Sequence, residues 1–269
     1  MNLQTLKAAI FNKKSFLCVG LDTDVTKLPH HLKANAEGML EFNKAIIDAT
    51  LPYAVSYKIN TAFYEAMGAE GWNVMQKTVA YLPDDVFKIA DAKRGDIGNT
   101  AAQYAKTFFE QMNFDAITLH PYMGLETFEP FLAYTDKWII PLALTSNPGS
   151  EDFQKTDMHS GKMYELFLSK MASRFTPDKC MFVVGATQKE YLEKIRSISP
   201  NHFLLIPGVG TQGGKIEDLI PFTNKENAGM LVNVSRGIIF ASSDKGFAEK
   251  AALSAKNYQS QMSPFFEKF

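Results

Sequence analysis

Eight short apolar runs recur along the chain, each followed by sequence with helical spacing. They cover residues 15–20, 54–60, 86–91, 114–120, 138–146, 181–187, 203–208 and 230–235, and read as buried strands. Between them, 37–50 and 100–109 place apolar residues three and four apart, as a helix packed on a sheet does. Residues 2–12 predict a further short amphipathic helix, a lid for one end of the fold. Strand and helix alternating eight times predict a closed parallel (β/α)8 TIM barrel. No linker, low-complexity run or repeat divides the chain, so one barrel domain over 1–269 is expected.

The polar positions are distributed unevenly on this frame. Asp22, Lys58, Asp91, Lys93, Ser146, Thr187 and Arg236 all fall at or just past the carboxyl ends of the predicted strands. In such a barrel those ends share one mouth. The densest stretch is Asp91-Ala92-Lys93-Arg94-Gly95-Asp96-Ile97-Gly98-Asn99-Thr100, on the turn from the third strand into a helix. Residues two apart on an extended chain share a face, so Asp91 and Lys93 are expected to point into one space, with Gly95 turning the backbone to bring Asp96 round. That arrangement sets an ammonium among carboxylates, which hold it charged. After the seventh strand, Pro207-Gly208-Val209-Gly210-Thr211-Gln212-Gly213-Gly214 leaves backbone N–H groups unshielded for an anion, and Arg236 past the eighth strand adds a two-pronged donor.

Composition narrows the partners. The net charge is −1 with no basic block, so no nucleic-acid partner is expected and any anion must be caught locally. Cys18 and Cys180 lie far apart in or beside apolar runs, as reduced core thiols do, and no metal site is expected. The first fifteen residues carry too short an apolar core for a signal peptide, and no arginine precedes Arg94. No apolar run reaches the roughly 18 residues a membrane span needs, so the sequence predicts a cytoplasmic protein that does not enter membranes.

Taken together, Asp22, Lys58, the 91–100 stretch, Thr145-Ser146-Asn147-Pro148-Gly149, the 207–214 loop and Ser235-Arg236-Gly237 resemble the orotidine 5′-phosphate decarboxylase family. The resemblance runs from the first strand to the eighth and is closest to the longer-chain bacterial branch. It implies conversion of orotidine 5′-monophosphate to UMP and CO₂ without a cofactor. It further implies that Lys93 donates the proton to C6 of the pyrimidine and that Asp91 faces the departing carboxylate. By the same resemblance Lys58 and Asp22 hold the ribose hydroxyls and complete an alternating charge array. Asp96, Ile97 and Thr100 would serve the partner's site across a homodimer interface, Ser146 would read the base edge, and Pro207, Gln212, Gly213 and Arg236 would hold the phosphate. No counterpart is identifiable for the tyrosine that closes the seventh loop in some members.

Two rival readings differ in chemistry. A magnesium-dependent sugar-phosphate decarboxylase or aldolase shares Asp-x-Lys-x-x-Asp but needs an acidic ligand at the end of the second strand, where this chain has Lys58. A barrel that binds nucleotide phosphates without catalysis would have a broken charge array, and none of its five members is missing. His120, a lone histidine before Pro121, reads as structural, and Tyr57, Phe63 and Tyr64 read as packing residues.

Overall fold

The computed structural model describes residues 1–210 and 213–267. Its strands are β1 Leu17–Gly20, β2 Ser56–Asn60, β3 Phe87–Arg94, β4 Ala116–Leu119, β5 Trp138–Leu144, β6 Asp157–Met158, β7 Gly161–Lys162, β8 Met181–Val184, β9 Phe203–Pro207 and β10 Met230–Val234. The helices are α1 Leu3–Lys13, α2 Ala36–Thr50, α3 Ala62–Glu65, α4 Gly68–Tyr81, α5 Gly98–Ala105, α6 Glu129–Leu132, α7 Met163–Arg174, α8 Leu192–Ile198, α9 Arg236–Ile239, α10 Phe247–Ser260 and α11 Ser263–Phe266. Eight strands close a barrel in the order β1-β10-β9-β8-β5-β4-β3-β2, every pairing parallel. All eight runs read from the sequence are its strands. The antiparallel hairpin β6–β7, in the segment after β5, was not expected.

Strand ends account for the sorting of residue types. At the amino ends, Phe87, Trp138 and Phe203 open β3, β5 and β9 and meet edge-on, at 5.7 and 6.5 Å between ring centroids. Edge-to-face aromatics fill much of that end with apolar volume. Helix α1 lies over the chain with Leu6 and Ile10 buried, and Lys13 at its end donates to the carbonyls of Leu51 and Ala54. This is the lid the amphipathic pattern predicts. Charge is present at the amino ends too, where Asp115 before β4 pairs with the Met1 ammonium and Lys88 of β3 with Asp84. The candidate site residues lie at the opposite, carboxyl ends.

Two departures from the expected boundaries shape that end. β3 does not stop at Asp91 but runs to Arg94, because its pairing with β4 shifts: Ala90 pairs with Ile117, whereas Arg94 pairs with Leu119. The extra residues form a bulge, which redirects the strand's side chains. β5 pairs with β8 through a similar shift between Leu142 and Leu144, and it ends there, short of the expected 146.

Candidate active site

Four of the five predicted charges form one chain of ion pairs across the ends of β1, β2 and β3. Lys58 Nζ donates to Asp22 Oδ1 at 3.1 Å and to Asp91 Oδ2 at 2.9 Å, and Lys93 Nζ donates to Asp91 Oδ1 at 2.6 Å. Parallel register brings them together: Gly20 pairs with Lys58, and Asn60 with Asp91. The members differ in depth. The Lys58 side chain is 3% exposed and that of Asp91 12%, whereas that of Lys93 is 49% exposed. Lys93 is thus the cation that faces the open mouth.

Burial disfavours charge on Lys58, but Asp22 and Asp91 outweigh it and hold its ammonium well above the ordinary lysine range. Asp91 shows the mirror image. Burial opposes its charge, and Lys58 and Lys93 overcome that and hold its carboxyl well below the ordinary carboxylate range. Burial, with the Asp22 and Asp91 carboxylates adding to it, outweighs Ser56 and Lys58 and pushes the neighbouring Cys18 thiol up to about 12. Cys18 and Cys180 are both free and buried, as their apolar settings predict.

The route by which Asp91 and Lys93 meet differs from simple strand alternation. Lys93 has φ 47°, in the left-handed region that a side chain rarely adopts, so the two are brought together by the bulge. Thr118 of β4 braces that geometry: its Oγ1 donates to Asp91 Oδ1 at 3.1 Å and accepts from the Lys93 backbone N–H at 2.9 Å. Sequence reading missed Thr118, since a threonine inside a strand reads as β propensity; its signal was the one polar residue within the apolar stretch Ala116–Leu119. Gly95 lies in the turn between β3 and α5, and its φ lies outside the left-handed region, so backbone freedom is not what calls for glycine. Glycine is required there because a Cβ would lie 2.1 Å from the His120 imidazole, which packs on the turn. His120, read as structural, does pack on that turn.

Asp96 does not join the cluster around Lys93. Its half-buried carboxylate accepts the Ile97 N–H at 2.8 Å, and no ion pair reaches it among the described residues. Ile97 is 57% exposed, and Thr100 is exposed on the first turn of α5. Arg94, on the same stretch, turns away to pair with Glu65 and to stack on Tyr104 and Phe108.

On the far side of the mouth, Ser146 follows β5, Pro207 ends β9, and Arg236 opens α9 after β10. Arg236 is exposed and in no ion pair among the described residues. Gly208, Gly210 and Gly213 take φ of 99°, 82° and 91°, so the seventh loop is built on backbone only glycine adopts readily. Its N–H groups are less available than expected: those of Gly210, Gly213 and Gly214 donate to Gly214, Gly210 and Gly208 carbonyls within the loop. Gln212 lies outside the described residues.

A profile of the orotidine 5′-phosphate decarboxylase / HUMPS family matches residues 15–251. The chain belongs to that family. It is 51% identical over 266 residues to an orotidine 5′-phosphate decarboxylase of Phocaeicola vulgatus, covering 97% of this chain and 98% of that one. To the protein of the same name from Christiangramia forsetii it is 49% identical, with 100% of both chains covered. Among solved structures, the OMP decarboxylase of Leishmania donovani superposes with a TM-score of 0.82 at 33% identity, covering 97% of this chain and 99% of that one. The profile spans the ion-paired carboxyl ends of β1–β3.

Proposed function

We propose that the barrel mouth decarboxylates orotidine 5′-monophosphate to UMP and CO₂, with Lys93 as the group that protonates C6. The reaction class, a carboxy-lyase, follows from the family and from relatives near 50% identity over nearly the whole chain. The observation that carries the residue assignment is the chain Asp22–Lys58–Asp91–Lys93, buried at one end and open at Lys93.

Loss of CO₂ from C6 leaves a carbanion with no adjacent carbonyl to take up its electrons. The protein must meet that charge directly. A fixed ammonium beside C6 does so without solvent reorganisation and then delivers its proton. The 2.6 Å contact to Asp91 and the Thr118 brace keep Lys93 in place while its half-exposed amine faces the mouth. Asp91 meets the substrate carboxylate, and Lys58 and Asp22 bind the ribose hydroxyls. Ser146 reads the base edge, and Pro207, Gln212, Gly213 and Arg236 hold the phosphate, whose binding energy helps force the carboxylate into place.

We further propose a cytoplasmic homodimer in which Asp96, Ile97 and Thr100 complete the partner's site. The exposure of Ile97 and the absence of a local cation partner for Asp96 among the described residues support that reading. No described helix is long and apolar enough to cross a membrane.

The other chemistry in the family's name is disfavoured by Lys58. A divalent ion bridging Asp22 and Asp91 would need the space that its ammonium fills at 2.9–3.1 Å. Purified protein mixed with orotidine 5′-monophosphate and excess chelator should lose orotate absorbance rapidly. Persistence of that absorbance with folded protein would refute the assignment and turn attention to magnesium and sugar phosphates.

A further inference from the structure

We propose that Gln154 and Gln188 are positioning residues for Ser146, standing in for the strand neighbours that β5 lacks at its end. The proposal rests on the assignment of Ser146 to the base edge made above. The last ladder bond at this end of β5 is donated by the Gly185 N–H to the Leu144 carbonyl, at 2.8 Å. On the other side, the pairing with β4 has already stopped at Leu119 and Pro141. The peptide groups of Thr145 therefore extend past both neighbouring strands, and an unpaired backbone group at a half-buried rim is costly.

Two side-chain amides occupy those positions. Gln154 Oε1 accepts the Thr145 N–H at 2.7 Å, and Gln188 Nε2 donates to the Thr145 carbonyl at 3.0 Å. An amide side chain carries the donor and acceptor of a peptide group, so each glutamine replaces one rung of a ladder. The chemistry fixes which end of each amide is used, since a backbone N–H only donates and a carbonyl only accepts. Gln154 is itself anchored, because its Nε2 donates to Thr145 Oγ1 at 2.8 Å and its carbonyl accepts the Tyr164 N–H at the start of α7. Gln188 is 6% exposed, and it breaks the 3-10 turn after β8 with φ −96° and ψ 31°.

Ser146 follows directly, held from below as well. A Cβ on Gly185 would lie 2.7 Å from Ser146 Cβ and 2.8 Å from its backbone N, so the residue just past β8 offers a bare backbone slot in which Ser146 sits. A residue that must present one hydroxyl to a flat base edge gains from being fixed to a few tenths of an ångström. The clamp therefore acts on substrate recognition through Ser146 and touches no reacting atom.

A thermodynamic cycle between Ser146→Ala and Gln188→Met tests this, with folding of each variant checked by circular dichroism. Ser146→Ala and Gln188→Met should each lower kcat/KM about tenfold, largely through KM, and the double variant should lose no more than about twofold beyond Ser146→Ala. Multiplying losses would overturn the clamp while leaving the role of Ser146 intact. A Ser146→Ala variant with unchanged kcat/KM would overturn both. A second contrast holds if Gln188→Met folds poorly: Gln154→Glu keeps the acceptor for the Thr145 N–H and should stay within about threefold of wild type, whereas Gln188→Glu has no donor for the Thr145 carbonyl and should lose about tenfold. Equal losses in the two glutamate variants would count against the proposal.

Discussion

At the level of single residues, the site depends on how a buried ammonium is made tolerable. Lys58 is enclosed, and its cost of desolvation is met by two carboxylates at 2.9 and 3.1 Å rather than one. The pH dependence follows from the direction of each shift. Asp91, held below its unfolded value of about 3.9, contributes stability that is full above that pH and is lost on acidification through its lower folded value. Lys58, held above its unfolded value of about 10.4, contributes stability that is full below that pH and is lost as pH rises through its folded value. The difference in unfolding free energy between wild type and Asp91→Asn should thus be flat from about pH 5 to 9 and shrink in acid. Urea titrations across that range measure it, and a difference that titrates near neutrality would contradict the pairing. Lys93, half exposed, contributes little to the fold. Lys93→Ala should abolish nearly all turnover while shifting the melting temperature by only a few degrees, on the scale of about 1 kcal/mol or less for an exposed pair.

At the level of elements, the turn after β3 is held by the end of β4. Gly95→Ala would drive a methyl into the His120 ring, so it should destabilise the protein by about 1–3 kcal/mol and lower activity by displacing Lys93. Gly95→Ala combined with His120→Ala opens space for that methyl and should recover much of the stability; equal melting temperatures for the single and double variants would show that His120 is not the obstacle. The loops after β9 and β10 offer a contrasting case. Because three N–H groups of the seventh loop are satisfied internally, the proposed phosphate grip relies more on Arg236 than the glycine pattern implied. Arg236→Ala should lower kcat/KM by about 2–3 kcal/mol, on the scale of a lost charged hydrogen bond, and a change below tenfold would remove it from the phosphate site.

At the level of the whole molecule, the barrel sets aromatic bulk at one end and the Asp22–Lys58–Asp91–Lys93 chain at the other, and the proposed dimer would finish the end that carries this chain. Lys93→Ala and Asp96→Ala proteins, each inactive alone, should regain activity when mixed. Random exchange gives half heterodimers with one intact site each, about a quarter of wild-type activity overall. No recovery after subunit exchange, verified by mass, would mean that Asp96 serves its own chain.

The sequence by itself determined the eight strands, their parallel closure and the end at which the chemistry lies, because burial on both faces demands unbroken apolar runs and strand ends are where polar residues remain. It also brought Asp22, Lys58, Asp91 and Lys93 to one mouth, since their place at strand ends was visible in one dimension. Only the tertiary structure decided how they meet. The bulge that swings Lys93 onto Asp91 is a register shift against β4, and register is a relation between two strands that neither sequence carries alone. The same holds for Thr118 bracing the pair, for His120 packing where a Cβ on Gly95 would lie, and for the two glutamines that complete β5. Each is a contact across elements, set by where the barrel places neighbours that are distant in sequence.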